Sequence, residues 1–482
     1  MINKIIAEYG KSFNDLEKEI YLFACKMGCK FLSEVLEGLD AKLSRERDKG
    51  KYRHKGKKKT SIKTIMGEVE FSRAIYKSID DKGSTSFTYL LDEYLDFKTV
   101  GLMSASLTEK IVENASKLSF RNAAKNITKL TGQTISHGGV WNVVQSLGAR
   151  LQEKEAEQVN IFNQRGSTGQ KEVPVLFEEA DGVYIKTQGK SRIKRQKGIE
   201  MKVAVSYEGW KETAKDRFEL VNKLAYVGIE NASIFRRQKE AIIGFNYNTD
   251  EITMRILNGD GASWIKHEID ENVHYQLDPF HKYQAVVRSV KDRKHRSEIK
   301  KLLQKNKIEE TLLYIKKLAL ITEEIKESEK IMNLYNYFQE NKEGLLPYNE
   351  RGLNIPKSPE GLIYRNLGTM EHNICDIIAQ RMKHRKASWS IGGAQNLGKI
   401  LAAQASKRLS NVIEEFSDTV LQIDESIFEH QILSAAKAPK KDGKGCDGNV
   451  SKGSVPLLNA ALTNGRKAIL KIFAGKFYGG FC

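Results

Sequence analysis

The sequence predicts an α/β protein in which a sheet carrying acidic residues is interleaved with helices and preceded by a helical and β-hairpin region. Three observations predict it. Short apolar or alternating runs at 173–187, 199–207, 224–228, 252–257 and 274–278 read as strands. Between and after them, 233–243, 284–345 and 371–382 carry apolar residues at helical spacing. The chain of 482 residues is long enough for several domains with sizeable cores.

In chain order, residues 13–46 read as one long amphipathic helix, followed by the basic stretch Lys49–Lys59. That stretch reads either as a loop tracking a phosphate backbone, with Arg53, Lys57 and Lys58 as contacts, or as a solvated linker. Residues 61–76 alternate on both sides of Met66-Gly67, as a β-hairpin turning there would. From Ser104 to Leu151 the pattern is helical, broken at Thr131–Ser136, with Ser136 placed to cap a helix from His137 to Arg150. These proportions fit a helix-turn-helix, with His137, Asn142 and Gln145 facing bases and Arg121 or Lys125 near phosphate. They also fit a plain αα-hairpin, and Gly138-Gly139 weakens a recognition helix. Residues 151–171 read as a linker. The expected divisions are 1–103, 104–155, 172–283, a helical insertion at 284–361, 362–412, and a helical and basic tail at 413–482.

Lys and Arg total 79 against 61 Asp and Glu, a formal charge of +18 that favours polyanions through counterion release. No apolar run approaches the ~20 residues of a membrane span, and the N-terminus lacks a signal-peptide pattern. Five scattered cysteines argue against a disulfide framework, and the reading is a soluble protein of a reducing cytoplasm. Cys25 and Cys29, with His54, suggest zinc. Their place in an apolar helical pattern without a second Cys pair favours core thiols.

Asp181 lies within the 173–187 strand, Asp260 in a Gly-Asp-Gly turn ending the 252–257 strand, and Glu371 opens the 371–382 helix. Each aspartate alone also fits a solvated turn. Together, two strand-borne aspartates and a helix-borne glutamate can converge on one sheet edge as hard oxygen ligands for Mg²⁺ or Mn²⁺. Lys186, Lys383 and Arg385 either bind backbone phosphates or are solvated surface residues. Asp278-Pro-Phe-His281 falls where a strand gives way to a helix, with Pro279 in the first helical position.

The ordered set Asp181-Gly-Val-Tyr-Ile-Lys, Gly259-Asp-Gly-Ala-Ser-Trp-Ile, Asp278-Pro-Phe-His-Lys-Tyr, Gly368-Thr-Met-Glu-His-Asn-Ile, Arg381-Met-Lys-His-Arg-Lys and Ser388-Trp-Ser resembles the ISLre-type insertion-sequence transposases of bacteria. Gly67-Glu-Val-Glu-Phe and Ser119-Phe-Arg-Asn-Ala-Ala resemble that family's N-terminal half, so the likeness spans about residues 10–410. The resemblance implies an RNase H-like catalytic core interrupted by an all-helical insertion, with Asp181, Asp260 and Glu371 as a metal-binding DDE triad. It also implies Asp278 and His281 as supporting residues, by likeness to mutator-type transposases; a helix-capping pair is the rival reading. Implied partners are double-stranded DNA, as terminal inverted repeats and target, and a second copy of the chain, in a nucleoid-associated setting. A DNA-binding protein that no longer cuts, or an RNase H-like nuclease, would share parts of this pattern.

Overall fold

The computed structural model describes residues 12–415 except 80–84, 96–102, 167, 190–197 and 267–271. The expected tail at 413–482 lies outside the described residues beyond Glu415. Among the described residues no helix is long and apolar enough to cross a membrane.

Helix α1 (Phe13–Glu46) starts at Ser12, whose side chain and Asp15 form a reciprocal capping box. Its second half buries Val35, Leu36 and Leu39 against Ile62, Val69 and Phe71 of an antiparallel sheet β1 (Tyr52–Lys63), β2 (Glu68–Ile79), β3 (Thr85–Thr88), beside the short α2 (Leu90–Tyr94). The hairpin turns at Thr64–Gly67 as the alternation predicts. The basic stretch is not a loop. From Tyr52 onward it is the edge strand of this sheet, with Lys57, Lys58 and Lys59 opposite Ala74, Arg73 and Ser72. Pairing with a β2 that buries Phe71, Ala74 and Tyr76 overrides the weak strand preference of lysine, and lysines on an exposed edge discourage pairing with other chains. Cys25 and Cys29 are free and half-buried, on the side of α1 near the hairpin turn, rather than fully buried thiols.

Three helices follow: α3 (Ala105–Lys117), α4 (Phe120–Thr131) and α5 (His137–Arg165). Ser136 caps α5 as predicted, accepting the Gly139 N–H. The helix does not stop at Arg150, so most of the expected 151–171 linker is helical. The physical reason is packing. Leu151 is buried, Glu155 pairs with Lys399 at 2.6 Å, and the Phe162 ring lies against Gly244. Val140, Val143, Val144 and Leu147 belong to the same apolar cluster as the central sheet, so these helices share its core.

That sheet is built from β4 (Val175–Thr187), β5 (Ile199–Tyr207), a small hairpin β6 (Trp210–Ala214) and β7 (Arg217–Leu220), β8 (Leu224–Gly228), α6 (Ala232–Asn246), β9 (Met254–Gly259) and β10 (Val273–Leu277). Its order is β10-β9-β4-β5-β8; β4, β5 and β8 are antiparallel neighbours, whereas β9 and β10 run parallel to β4. The β6–β7 hairpin escaped the sequence reading, since its residues are mostly exposed and carry no apolar run.

The insertion comprises α7 (Pro279–Ser289), α8 (Arg293–Gln304), α9 (Ile308–Ile321) and α10 (Ile325–Glu340). Val286, Ile299, Leu312, Ile315, Leu334 and Phe338 form a second apolar cluster of its own. The chain then returns through α11 (Met370–Ile374), which continues as a π-turn over Cys375–Ala379 and an α-turn over Gln380–Met382. Strand β11 (Ser388–Trp389) joins β4 in parallel, and α12 (Ile391–Ala405) and α13 (Leu409–Glu415) close the described chain.

Candidate active site

Three aspartates stand level across three parallel strands, Asp260 and Asp278 just past the ends of β9 and β10 and Asp181 within β4, opposite Val203 of β5. The last residues of the parallel ladders are Ala180, Gly259 and Leu277, and each is followed at once by an aspartate: Asp181, Asp260 and Asp278. Neighbouring strands lie about 4.8 Å apart, so register alone crowds these residues. The turn after Asp260 needs Gly261, whose φ of 90° suits glycine and whose missing Cβ would sit 2.9 Å from Asn341. Asp260 Oδ1 accepts the Ala262 N–H at 2.8 Å.

Asp278 is buried and caps α7, accepting the N–H groups of Phe280 (2.9 Å) and His281 (3.2 Å) behind Pro279. The cap sets the first turn of α7, which carries His281 into the cluster. His281 Nε2 lies 3.1 Å from Asp181 Oδ2 and 3.8 Å from Glu371 Oε1. Ligand atoms of Asp181, His281 and Glu371 all fall within 4.8 Å of one another. Of this pair, Asp278 is the helix cap and His281 faces the acids.

Glu371 sits in the first turn of α11, and a residue the sequence reading missed holds that turn. Glu179, fully buried on β4, accepts hydrogen bonds from Tyr207 (2.7 Å), Asn258 (2.8 Å), the Gly368 N–H (3.1 Å) and the Thr369 N–H and hydroxyl (3.0 and 2.5 Å). Asn258 Nδ2 also donates to Asp278 at 2.8 Å, which links the two strand ends. Glu178, one residue earlier, points to the opposite face and pairs with Arg255 at 2.6 Å and Lys239 at 2.5 Å. The signal that could have separated the two is strand alternation: Glu179 shares a face with Asp181, Glu178 does not. Tyr337, from α10, donates to the Asp260 carbonyl at 2.6 Å and ties the insertion to the site.

The electrostatics are those of crowded acids. Burial pushes the Asp260 carboxyl up, with Asp181 adding to the rise against the Ala262 N–H and His281. Burial and then Asp181 push Glu371 up. Burial draws the His281 imidazole down, but the hydrogen bond and charge of Asp181, with Asp278 and Asp260, hold it above its ordinary value. Two carboxylate oxygens and an imidazole nitrogen around one point, with Asp260 alongside, form a donor set that suits a divalent cation such as Mn²⁺ or Mg²⁺.

The chain matches the family model described as "Uncharacterised protein family (UPF0236)" over residues 6–414. It belongs to the UPF0236 family. A UPF0236 protein of Caldanaerobacter subterraneus subsp. tengcongensis is 27% identical over 397 residues, 81% of this chain and 77% of that one, and its name joins eleven locus designations. A second UPF0236 protein of that organism, whose name joins four, is 26% identical over the same share of each chain. The "UPF0236 protein in vanSb 3'region" of Streptococcus gallolyticus is 23% identical over 415 residues, 84% of this chain and 85% of that one. The matched span of this UPF0236 chain includes all four acids and His281.

Of the other residues marked in the sequence, Lys383 lies near enough to Glu371 for its charge to act against the rise of that carboxyl. Arg53, Lys57 and Lys58 are exposed on β1, Arg121 and Lys125 on α4, His137 and Asn142 on α5, Lys186 on β4, and Lys383 and Arg385 after α11. Gln145 is a correction. It is not turned out toward a base, because its Oε1 accepts Asn396 Nδ2 at 2.7 Å where α5 packs on α12. Gly148 allows that approach, since a Cβ there would lie 2.4 Å from Asn396.

Proposed function

We propose that this UPF0236 protein is a metal-dependent DNA transposase of the DDE type, which cleaves and joins phosphodiester bonds at the ends of its own element. The observation that carries the reading is the convergence of Asp181, Glu371 and His281 within 4.8 Å, with Asp260 at the adjoining strand end. In order of appearance the five sheet strands are arranged 5-4-1-2-3, the first three antiparallel and the last two parallel, the arrangement expected of an RNase H-like core. The all-helical insertion separates the second aspartate from the glutamate. A relative named under eleven loci of one organism fits a self-copying element.

Asp181, Asp260 and Glu371 would hold Mg²⁺ or Mn²⁺. Such ions, when bound, supply a water of lowered pKa and neutralise charge on the leaving oxygen. The chain's own residues do the remainder. His281 fixes the rotamer of Asp181, Glu179 fixes the turn that presents Glu371, and the Ala262 N–H orients Asp260. Lys186, Lys383 and Arg385 are exposed cations for backbone phosphates. Arg121, Lys125, His137 and Asn142 are the exposed residues of the helix-turn-helix reading, and Arg53, Lys57 and Lys58 form a separate basic edge on β1. Pairing two element ends calls for at least a dimer in the DNA complex.

The test is Mg²⁺- or Mn²⁺-dependent nicking of a labelled duplex bearing the end of the encoding element, with wild type, Asp260→Ala and Glu371→Ala. The expected outcome is wild-type cutting that leaves a 3′-OH, and variants that bind without cutting. Equal cutting by all three would remove these acids from the chemistry. Binding without cutting by wild type would leave a DNA-binding protein, and preference for RNA–DNA hybrids an RNase H-like nuclease.

A further inference from the structure

Ten residues after Glu371, about 15 Å along the helix at ordinary rise, stands an arginine with more donors than its surroundings use. Arg381 is 6% exposed, and its guanidinium lies 5.0 Å from the ring centres of both Phe120 and Trp389. Nε donates to the Ala115 carbonyl at 2.7 Å, capping the C-terminal turn of α3. Nη2 is buried with no hydrogen-bond partner. A helix cap and two aromatic faces explain why a cation is tolerated here, but not why the fork is left unfilled.

Arg381 lines a cleft of about 390 Å³ together with Lys117, Lys223 and Arg385, opposed among charged residues by Asp376 alone. Asp376 is itself engaged, by His372 at 3.0 Å and Gln380 at 3.0 Å. The cleft shares Lys223, Asp376 and Ala405 with a larger one of about 710 Å³, which reaches Thr369 and His372 on either side of Glu371. The two clefts thus adjoin, and the larger one borders the turn that carries Glu371 without the Glu371 side chain in its lining. Planar N–H pairs match phosphate oxygens bidentately, and a cation surplus holds a polyanion in place without reading its sequence.

We infer that the cleft floored by Arg381 is a phosphodiester site, which grips the backbone of the nucleic-acid strand leading away from the Asp181–Glu371 cluster. The nucleic-acid identity of the ligand rests on the proposed function. Arg381 supplies the fork, Lys117 and Arg385 the flanking charge, and Lys223, held by Asn373 at 3.2 Å, the join between the two clefts.

The experiment measures binding of the full-length protein to a fluorescein-labelled 30-base-pair duplex by anisotropy, in EDTA, over a salt series, for wild type, Lys117→Ala, Arg385→Ala and Arg381→Lys. Lysine keeps one donor for the Ala115 carbonyl and loses the fork. Each variant should bind about fivefold more weakly near physiological salt, and the log–log salt slope should fall by about one for Lys117→Ala and Arg385→Ala and stay near wild type for Arg381→Lys, which keeps its charge. Melting temperatures should stay unchanged for Lys117→Ala and Arg385→Ala, whose side chains are exposed. Wild-type affinity and slope in all three would overturn the site and leave Arg381 a helix cap only. Displacement of the duplex by millimolar inorganic phosphate at constant ionic strength would mean that free phosphate, not a strand, is the ligand, and would overturn the strand assignment. Binding needs no metal, so loss in these variants with no cutting by wild type would sink the transposase reading and keep the cleft.

Discussion

Glu179 gathers five donor groups from four residues of three segments, of which Asn258 Nδ2 has a second acceptor in Asp278. Burial pushes its carboxyl up while the donors from Thr369, Tyr207 and Asn258 pull it back. Replacing it strands those donors, each at about 1–3 kcal/mol. Glu179→Ala should therefore destabilise the fold by more than about 3 kcal/mol. Glu179→Gln should retain the fold at a loss of about 1–3 kcal/mol, yet weaken Mn²⁺ binding about 10–100-fold, as loss of a group that orients a ligand does. Urea melts and Mn²⁺ titrations check both. A glutamine variant with wild-type Mn²⁺ affinity would show that Glu179 serves packing alone.

At the scale of elements, the far end of the insertion reaches the Asp260 turn. Tyr337 of α10 holds the Asp260 carbonyl, and Lys266, just past the Asp260 turn, reaches Asn341 Oδ1 at 3.0 Å. Tyr337→Phe should cost about 1 kcal/mol and free the 260–262 turn, seen as faster hydrogen exchange at Ala262 with the exchange of β9 unchanged. Exchange at Ala262 equal to wild type would mean that the turn is held by Gly261 and Asn341 without the tyrosine. Ile315 is fully buried in the insertion's own cluster, so Ile315→Ala should lower stability by about 2–5 kcal/mol. If the insertion is a separate cooperative unit, its amides should open before those of β4 and β5. A π-turn begins at Cys375, one turn after Glu371, and such turns recur at functional sites.

For the whole molecule, the acid cluster ties stability to pH and to metal. Asp260, Glu371 and His281 all have folded-state values raised above their ordinary ones. The folded state thus binds these protons more tightly than the unfolded chain. Their contribution is fully present below the ordinary carboxylate and histidine values, about 4 and 6.5, and is lost as pH rises through the raised ones. Without metal, this cluster should make the protein less stable at pH 8 than at pH 5.5. A divalent cation stabilises by mass action, about 2.7 kcal/mol at one hundred times its dissociation constant, and competes with those protons. The Mn²⁺-induced rise in melting temperature should be larger at pH 8 than at pH 5.5 and absent in Asp181→Asn. A rise that is independent of pH, or that survives in Asp181→Asn, would place the ion elsewhere.

Local pattern alone determined the strand and helix types. Short apolar or alternating runs marked β4, β5, β8, β9 and β10, Ser136 marked a helix start, and Asp278-Pro279 a strand-to-helix junction. These are signals written in spacing and capping chemistry, readable without neighbours. The acids and His281 were also legible as chemistry-bearing residues. What only the tertiary structure decided is which of them meet, because that depends on strand register: Ala180, Gly259 and Leu277 pair side by side, so the residues after them become neighbours. The same holds where the sequence reading failed. A lysine-rich segment became strand because β2 offered a buried face to pair with, a polar linker became helix because α12 and α6 packed on it, and Gln145 turned inward because Gly148 let α12 come close. Glu179 carries no local signal of its role, and only the arrival of the Gly368-Thr369 turn, 190 residues from it in the case of Thr369, gives it a task.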